Sequence, residues 1–280
     1  GAVILDGTAL ARARAPELAV RGRRVAELRG RRPRLLLVAF ADAAGGAPFV
    51  ARKVRACAAA GVDVLPLLFP FGTSAPEAEH ALGALLESEV VDAVFLEFPF
   101  PEGVDGEALT ALVPAAADVD IMTAGRVTQY FADPDAPPPL TVSAGLVLLD
   151  GHGVDIRGRA GVVVGEGTPF SRMFREALVR RGARMHPLVS PQESGWLPVV
   201  QGAELVVAAA SAPGMLRGTA LSPGAIVLDA GYFNPGGRGD VDTADGIGHL
   251  GAIALVPGGI GPMTVSVLVE RVIALAERGS

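Results

Sequence analysis

Apolar runs of strand length alternate with segments of helical length from one end of the chain to the other. Arg34–Phe40 (RLLLVAF), Val62–Leu68 (VDVLPLL) and Asp92–Phe98 (DAVFLEF) each read as a buried strand, and Pro48–Ala60 and Ala75–Glu89 between them have the length of helices. Ahead of these, Thr8–Arg29 predicts a long, arginine-rich surface helix. Short apolar strands separated by helices build βαβ units, which carry a parallel sheet. The pattern stops at the proline cluster Asp133–Pro139 (DPDAPPP), the best place for a domain boundary. It then restarts with a strand at Gly161–Gly165, a helix at Pro169–Arg181, and strands at Ala183–Val189, Glu204–Ala209, Gly224–Asp229 and Ala252–Val256. A last helix, Pro262–Arg278, has its proline in the first turn, where a missing N–H is tolerated. No internal repeat is visible, so the pattern predicts two α/β domains.

Composition narrows the function classes. The 280 residues suffice for two ordinary cores, and 50% apolar against 19% charged residues excludes a disordered or fibrous chain. A net charge of −6 argues against nucleic acid or an anionic membrane as partner, because both require a basic face. The mean hydropathy of +0.42 draws attention to the longest charge-free stretch, Leu250–Val269, which is long enough in principle to span a bilayer. Pro257, Pro262 and four glycines break it as a helix, and Asp6 interrupts the first apolar run, so the chain reads as soluble. Cys57 is the only cysteine and leaves no disulfide or cysteine-based zinc site, which fits a reducing cytoplasm. His80, His152, His186 and His249 share no ligand spacing.

Among 24 basic residues Lys53 is the only lysine. Chance in an arginine-rich chain explains this, and so does a task that a guanidinium cannot perform. An ammonium is compact and can release a proton when desolvated, whereas arginine stays charged and planar. A second chemical signal is the strand–turn–helix string Gly165–Ser171 (GEGTPFS). It is a partial match to the glycine fingerprint that lets a backbone approach a pyrophosphate, and equally a tight turn with no ligand.

The string Val256–Val265 (VPGGIGPMTV) adds a proline and a glycine pair that open a helix. Here the chain resembles the bifunctional methylene-tetrahydrofolate dehydrogenase/methenyl-tetrahydrofolate cyclohydrolases, whose C-terminal signature reads P-G-G-V-G-P-M-T. Further matches follow in order: Ile4–Gly7 (ILDG), Phe49–Cys57 (FVARKVRAC), Leu96–Pro101 (LEFPFP), Asp118–Asp120 (DVD), Pro223–Gly231 (PGAIVLDAG) and Gly239–Val241 (GDV). The resemblance covers essentially the whole chain. It implies a three-layer α/β catalytic domain over residues 1–140, a Rossmann-like nucleotide domain over 141–262, and a helix over 263–280 that returns to the first domain.

The same resemblance assigns residues. Lys53 falls on the lysine of the family's Y-V-x-x-K motif, which assists hydrolysis of the methenyl bridge. Phe49 replaces that motif's tyrosine, keeping the ring but losing a hydroxyl that can relay a proton. Glu97 replaces the glutamine of Q-L-P-L-P, placing an acid beside Lys53, and an acid holds a neighbouring ammonium charged. Asp120 matches the aspartate that takes the amino and amide edge of the pterin, where a carboxylate accepts two parallel N–H bonds. Ile121 stands where the family has glycine, and Asp118 reads as a helix cap. Lys53, Glu97 and Asp120 are thus the expected catalytic residues. Phe49, Lys53, Asp120, Pro257, Gly258 and Gly259 are the expected walls of a folate cleft between the domains.

Gly165, Glu166, Gly167 and Ser190 are the expected cofactor contacts. Glu166 stands where the family's arginine would meet the 2′-phosphate of NADP, so NAD is favoured over NADP, and the resemblance leaves open whether either binds. Ser143, Asp229 and Asp240 read as structural. The implied function is oxidation of methylene-tetrahydrofolate to methenyl-tetrahydrofolate and its hydrolysis to formyl-tetrahydrofolate. The alternatives are a relative without hydride transfer, acting as a cyclohydrolase or one-carbon transferase, or a non-catalytic folate-binding protein. A homodimer is implied by the resemblance alone.

Overall fold

The computed structural model describes residues 1–41, 48–98, 100–231 and 237–279. Along them run β1 (Val3–Ile4), α1 (Gly7–Arg29), β2 (Arg34–Phe40), α2 (Pro48–Ala59), β3 (Asp63–Phe69), α3 (Ala75–Ser88), β4 (Ala93–Leu96), α4 (Gly106–Ala111), α5 (Ala124–Ala132) and α6 (Leu140–Gly151). These are followed by β5 (Ala160–Gly165), α7 (Pro169–Arg180), β6 (Arg184–Met185), α8 (Trp196–Gln201), β7 (Leu205–Ala209), β8 (Leu216–Arg217), β9 (Ile226–Asp229), β10 (Val241–Asp242), β11 (Ala252–Ala254) and α9 (Ile260–Arg278). They form two compact units: a first of residues 13–129 with the chain from Val265 on, and a second of residues 1–12 with 130–264.

The first unit is built on a parallel sheet in the order β3-β2-β4. The unbroken apolar run of β2 follows from its central place, paired with β3 from Arg34↔Asp63 to Phe40↔Phe69 and with β4 on its other side. Leu36, Val38, Phe40, Leu82, Val94, Leu96 and Leu109 share one core cluster. A capping box of Ser74 and Glu77 starts α3, and Asp105 caps α4. At the base of the sheet Asp92 accepts from Arg29 Nη2 at 2.7 Å and from the Arg34 backbone N–H at 2.9 Å, with Arg31 alongside. Burial pushes the Asp92 carboxyl up, but these donors together hold it below its usual range. Ion pairs Arg14–Glu270 and Arg21–Glu277 join α1 to α9.

The second unit carries a parallel sheet in the order β1-β11-β9-β7-β5-β6, with β8 and β10 as a separate parallel ribbon. From β5 the chain moves outward to β6 and then crosses back to β7 on the other flank. The C-terminal ends of β5 and β7 are therefore a topological switch point, the place where open α/β sheets take a ligand.

Four features depart from the sequence pattern. The strand expected over Ala183–Val189 shortens to β6 and a single bridge between Val164 and Val189, since Pro187 between them cannot donate. Residues 1–12 join the second unit because β1 pairs with β11, at Val3↔Ala252 and Ile4↔Ile253. The division falls at Tyr130 rather than at residue 140, because the Tyr130 ring is buried beneath the Arg180 guanidinium, 4.2 Å from its centroid, and its hydroxyl donates to Met173 O. The helix α6, with Pro139 at its start, was not anticipated by the pattern. No helix among the described residues is long and apolar enough to cross a membrane.

Candidate active site

The helix α2 turns Val50, Lys53 and Cys57 inward on one face, a spacing of three and four residues. Lys53 is only 6% exposed. Its Nζ lies 2.7 Å from Glu97 Oε2 and 5.2 Å from the centre of the Phe95 ring. Glu97 sits just past β4, where its backbone N–H donates to Val38 O at 2.8 Å and so fixes the residue at the C-terminal edge of the sheet. The Lys53–Glu97 contact is a close charge pair largely withdrawn from solvent. One turn beyond Lys53, burial pushes the Cys57 thiol up to about 12 despite the nearby ammonium, which makes it chemically quiet. Phe49 lies one turn before Lys53 and is half-buried. Beside them Phe98 and Phe100 (ring centres 4.4 Å apart) join Phe40 and Phe69 in an aromatic cluster at the ends of β2, β3 and β4. Of the Leu96–Pro101 match, Pro99 lies outside the described residues.

A parallel bridge between Val94 and Asp118 lays the second acidic segment along β4, the strand that leads to Glu97. Asp118 is buried and accepts from the backbone N–H groups of Met122 (2.9 Å) and Thr123 (2.8 Å), tying down the turn that leads into α5. Asp120, two residues further on, is half-buried. Ile121, at the family's glycine position, has φ of 57°, a left-handed conformation that costs a β-branched residue about 1–2 kcal/mol. From α9, Arg271 Nη1 donates to Val119 O at 3.3 Å, between the two aspartates.

In the second unit Gly165 ends β5. A Cβ there would fall 2.7 Å from Ser171 Oγ and 3.0 Å from Ala209 O, so the switch point closes only around glycine. Thr168 caps α7 by accepting the Ser171 N–H, while Gly167 has open space where a side chain would begin. Glu166 is exposed and accepts from Gln192 Nε2 at 3.3 Å, and Ser190 Oγ accepts the Gln192 N–H at 3.2 Å. The four expected cofactor contacts are thus one local assembly, with a carboxylate rather than a guanidinium at its rim.

The loops beside this turn are held by two buried aspartates. Asp240, 1% exposed, accepts from Ala210 (2.7 Å) and Ala212 (2.8 Å) just past β7. Asp229, 2% exposed at the end of β9, accepts from Gly231, Asp240 and Val241. Burial, with help from Asp240, raises Asp229 to about 6, although those three donors oppose the shift. Elsewhere in this unit Gly258 O accepts from the N–H groups of Gly7 (2.8 Å) and Thr8 (3.2 Å), and a Cβ on Gly7 would overlap the Gly259 carbonyl. The Ile4–Gly7 and Pro257–Gly259 matches are therefore two halves of one loop contact. Next to it His152 Nε2 accepts the Asp6 N–H at 3.2 Å while its Nδ1 donates to Leu148 O at 2.8 Å, a structural tie.

Arg271 is the site residue that sequence reasoning missed. A signal was present: it follows Val267 and Leu268 by four and three residues on the buried face of α9, where a charge needs a reason.

One unit with a parallel α/β sheet and a glycine-lined switch point, and another with a buried lysine–glutamate pair, define a two-unit nucleotide-binding enzyme of the Rossmann-like class. Two family models locate it further. The tetrahydrofolate dehydrogenase/cyclohydrolase catalytic domain matches residues 5–120, and the NAD(P)-binding domain of the same name matches residues 139–280. The chain belongs to the tetrahydrofolate dehydrogenase/cyclohydrolase family. It is 34% identical to the bifunctional protein FolD 2 of Frankia casuarinae, over 99% of this chain and 96% of that one, and 31% identical to the bifunctional protein FolD 1 of Salinispora arenicola, over 99% of each. Among solved structures it is similar to the Trypanosoma brucei methylenetetrahydrofolate dehydrogenase-cyclohydrolase, described as complexed with NADP and an inhibitor. The TM-score is 0.90 and the identity 28%, over 99% of this chain and 98% of that one.

Proposed function

We propose that this chain oxidises methylene-tetrahydrofolate to methenyl-tetrahydrofolate and hydrolyses that product to formyl-tetrahydrofolate, with Lys53, Glu97 and Asp120 as its catalytic residues. The observation that carries the reading is the chain's one lysine, buried and set 2.7 Å from Glu97 at the C-terminal edge of a parallel sheet. In the hydrolysis a water oxygen bonds to the methenyl carbon and gives up both its protons, one carried to N5 as the bond from that carbon to N5 breaks and the other to solvent as the formyl C=O forms. Lys53 and Glu97 together can hold the proton on its way to N5, which general acid–base groups do for rate factors of about 10²–10⁴. Phe49 and the exposed face of Phe98 offer apolar walls, and Asp120 the acceptor for the pterin edge.

A nicotinamide dinucleotide fits the turn at Gly165, where a side chain would close the space, and when bound it supplies the hydride acceptor for the oxidation. Gly165 and Gly167 let the backbone come close, and Ser190 and Glu166 line the rim. A carboxylate at Glu166 suits ribose hydroxyls and repels a 2′-phosphate, which favours NAD. We place the enzyme in a reducing cytoplasm as a homodimer, which light scattering of the purified chain tests. The function is tested by following methenyl-tetrahydrofolate formation and decay with methylene-tetrahydrofolate and either nicotinamide. Absence of both steps with both cofactors would refute the reading.

A further inference from the structure

We propose that Arg271 is a positioning residue for folate recognition, holding the Asp118–Thr123 turn from α9 so that the Asp120 carboxylate is aimed and charged when the pterin arrives. The inference rests on the reading of Asp120 as the pterin acceptor. Three observations meet at this turn. Asp118 spends its carboxylate on the Met122 and Thr123 N–H groups, so it fixes the backbone on one side of Asp120. Arg271 Nη1 takes Val119 O at 3.3 Å, fixing the peptide on the other side. Between these two grips Ile121 is held in a left-handed conformation that a β-branched residue does not adopt unless its surroundings impose it.

Charge points the same way. Burial pulls the Arg271 guanidinium down to about 10, the charges of Asp120 and Asp118 push it back, and Arg126 adds to the lowering. It stays cationic at neutral pH, and a desolvated cation is retained in a core only where it has charged and polar partners to serve. Arg271 thus lies within reach of two aspartate charges and one arginine charge. When a flat heterocycle covers Asp120 and strips its water, the cation behind it keeps the ionised form, the form that accepts two N–H bonds.

A double-mutant cycle on the full-length enzyme tests this, reading the Kd for 5-formyl-tetrahydrofolate alongside the Kd for NAD. Asp120→Asn is expected to weaken the folate at least about thirtyfold, the scale of a lost charge-assisted pair. Arg271→Met is expected to weaken it about tenfold, to raise KM for folate with kcat within about threefold, and to leave NAD unchanged, while Arg271→Lys recovers most of the loss. In the Asp120→Asn background Arg271→Met should add less than about twofold, because its effect passes through Asp120. A full tenfold loss in that background, or no loss in the wild-type background, overturns the proposal. No loss from Asp120→Asn alone overturns the folate reading of that residue and the proposal with it. Arg271→Gln carries the same cycle if Arg271→Met does not fold.

Discussion

The buried acids of the two units are stabilised in opposite ways. In the first unit most of them sit against cations: Glu97 on Lys53, Asp92 on Arg29 and Arg31, and Asp120 near Arg271, while Asp118 is held by the Met122 and Thr123 N–H groups. In the second, among the described residues, the carboxylates of Asp229 and Asp240 are wrapped by backbone N–H groups from the segments after β7 and β9 and meet no side-chain cation. Cation pairing fixes a charge where proton chemistry needs one. Amide wrapping fixes loop shape, and it accepts a carboxylate that burial has made reluctant to ionise.

The largest effect that would break this contrast is on turnover. Lys53→Arg keeps a cation beside Glu97, so if charge alone mattered it would be harmless. We predict at least a hundredfold loss of methenyl-tetrahydrofolate hydrolysis, on the order of what a proton-transfer group contributes, because a forked guanidinium neither fits nor releases a proton. The substitution also overpacks a buried site and should cost about 1–3 kcal/mol in a urea melt. Near-normal turnover would reduce Lys53 to an electrostatic anchor.

Next comes the nucleotide rim, where the acid is exposed. Glu166→Arg should strengthen NADP binding by about tenfold or more, with little change for NAD, as read by calorimetric titration. If the unaltered chain binds NADP at low micromolar Kd through this turn, the charge inversion has been misread.

A smaller effect is expected at Asp229. Asp229→Asn turns an amide NH2 toward one of the backbone donors that Asp229 now accepts, and should destabilise the second unit by about 1–3 kcal/mol. Trp196, the chain's one tryptophan and part of α8 in that unit, reports the transition by fluorescence.

The smallest effect sharpens the comparison by sign. Asp229 is raised to about 6 in the folded chain, so the stability it contributes is complete below its unfolded value near 4 and is lost as pH rises through 6. Asp92 is lowered, so its contribution is present above about 4 and is lost as pH falls through its folded value. Hydrogen exchange between pH 4 and 7 should show protection in β9 rising on acidification. In β4 protection should hold down to about pH 4 and then fall. Parallel behaviour of the two strands would show that wrapping and pairing are energetically alike.

Much of this was legible in the chain. β2, α2 and β7 stand out because their apolar runs and breaks are local properties, and Lys53 stood out because composition isolated it. The grip of Asp229 on Asp240 and Val241 was not legible, although Gly231 and Gly239 mark it: a Cβ at either would collide with an aspartate carboxylate. Nothing local says which carboxylate. Arg271 was missed for the same reason, since its partners lie about 150 positions away and only the fold supplies them. β6 was overcalled because Pro187 removes a donor that the apolar pattern does not register.

The pairing of β1 with β11 also sets a schedule for the molecule's assembly. Val3 finds its ladder partner only at Ala252, and Gly7 its carbonyl acceptor only at Gly258. A ribosome adding about 5–20 residues per second needs roughly ten to fifty seconds to travel between them. Throughout that interval the Val3–Thr8 segment waits without its sheet, and the Pro257–Gly259 loop takes its shape only when the two segments meet.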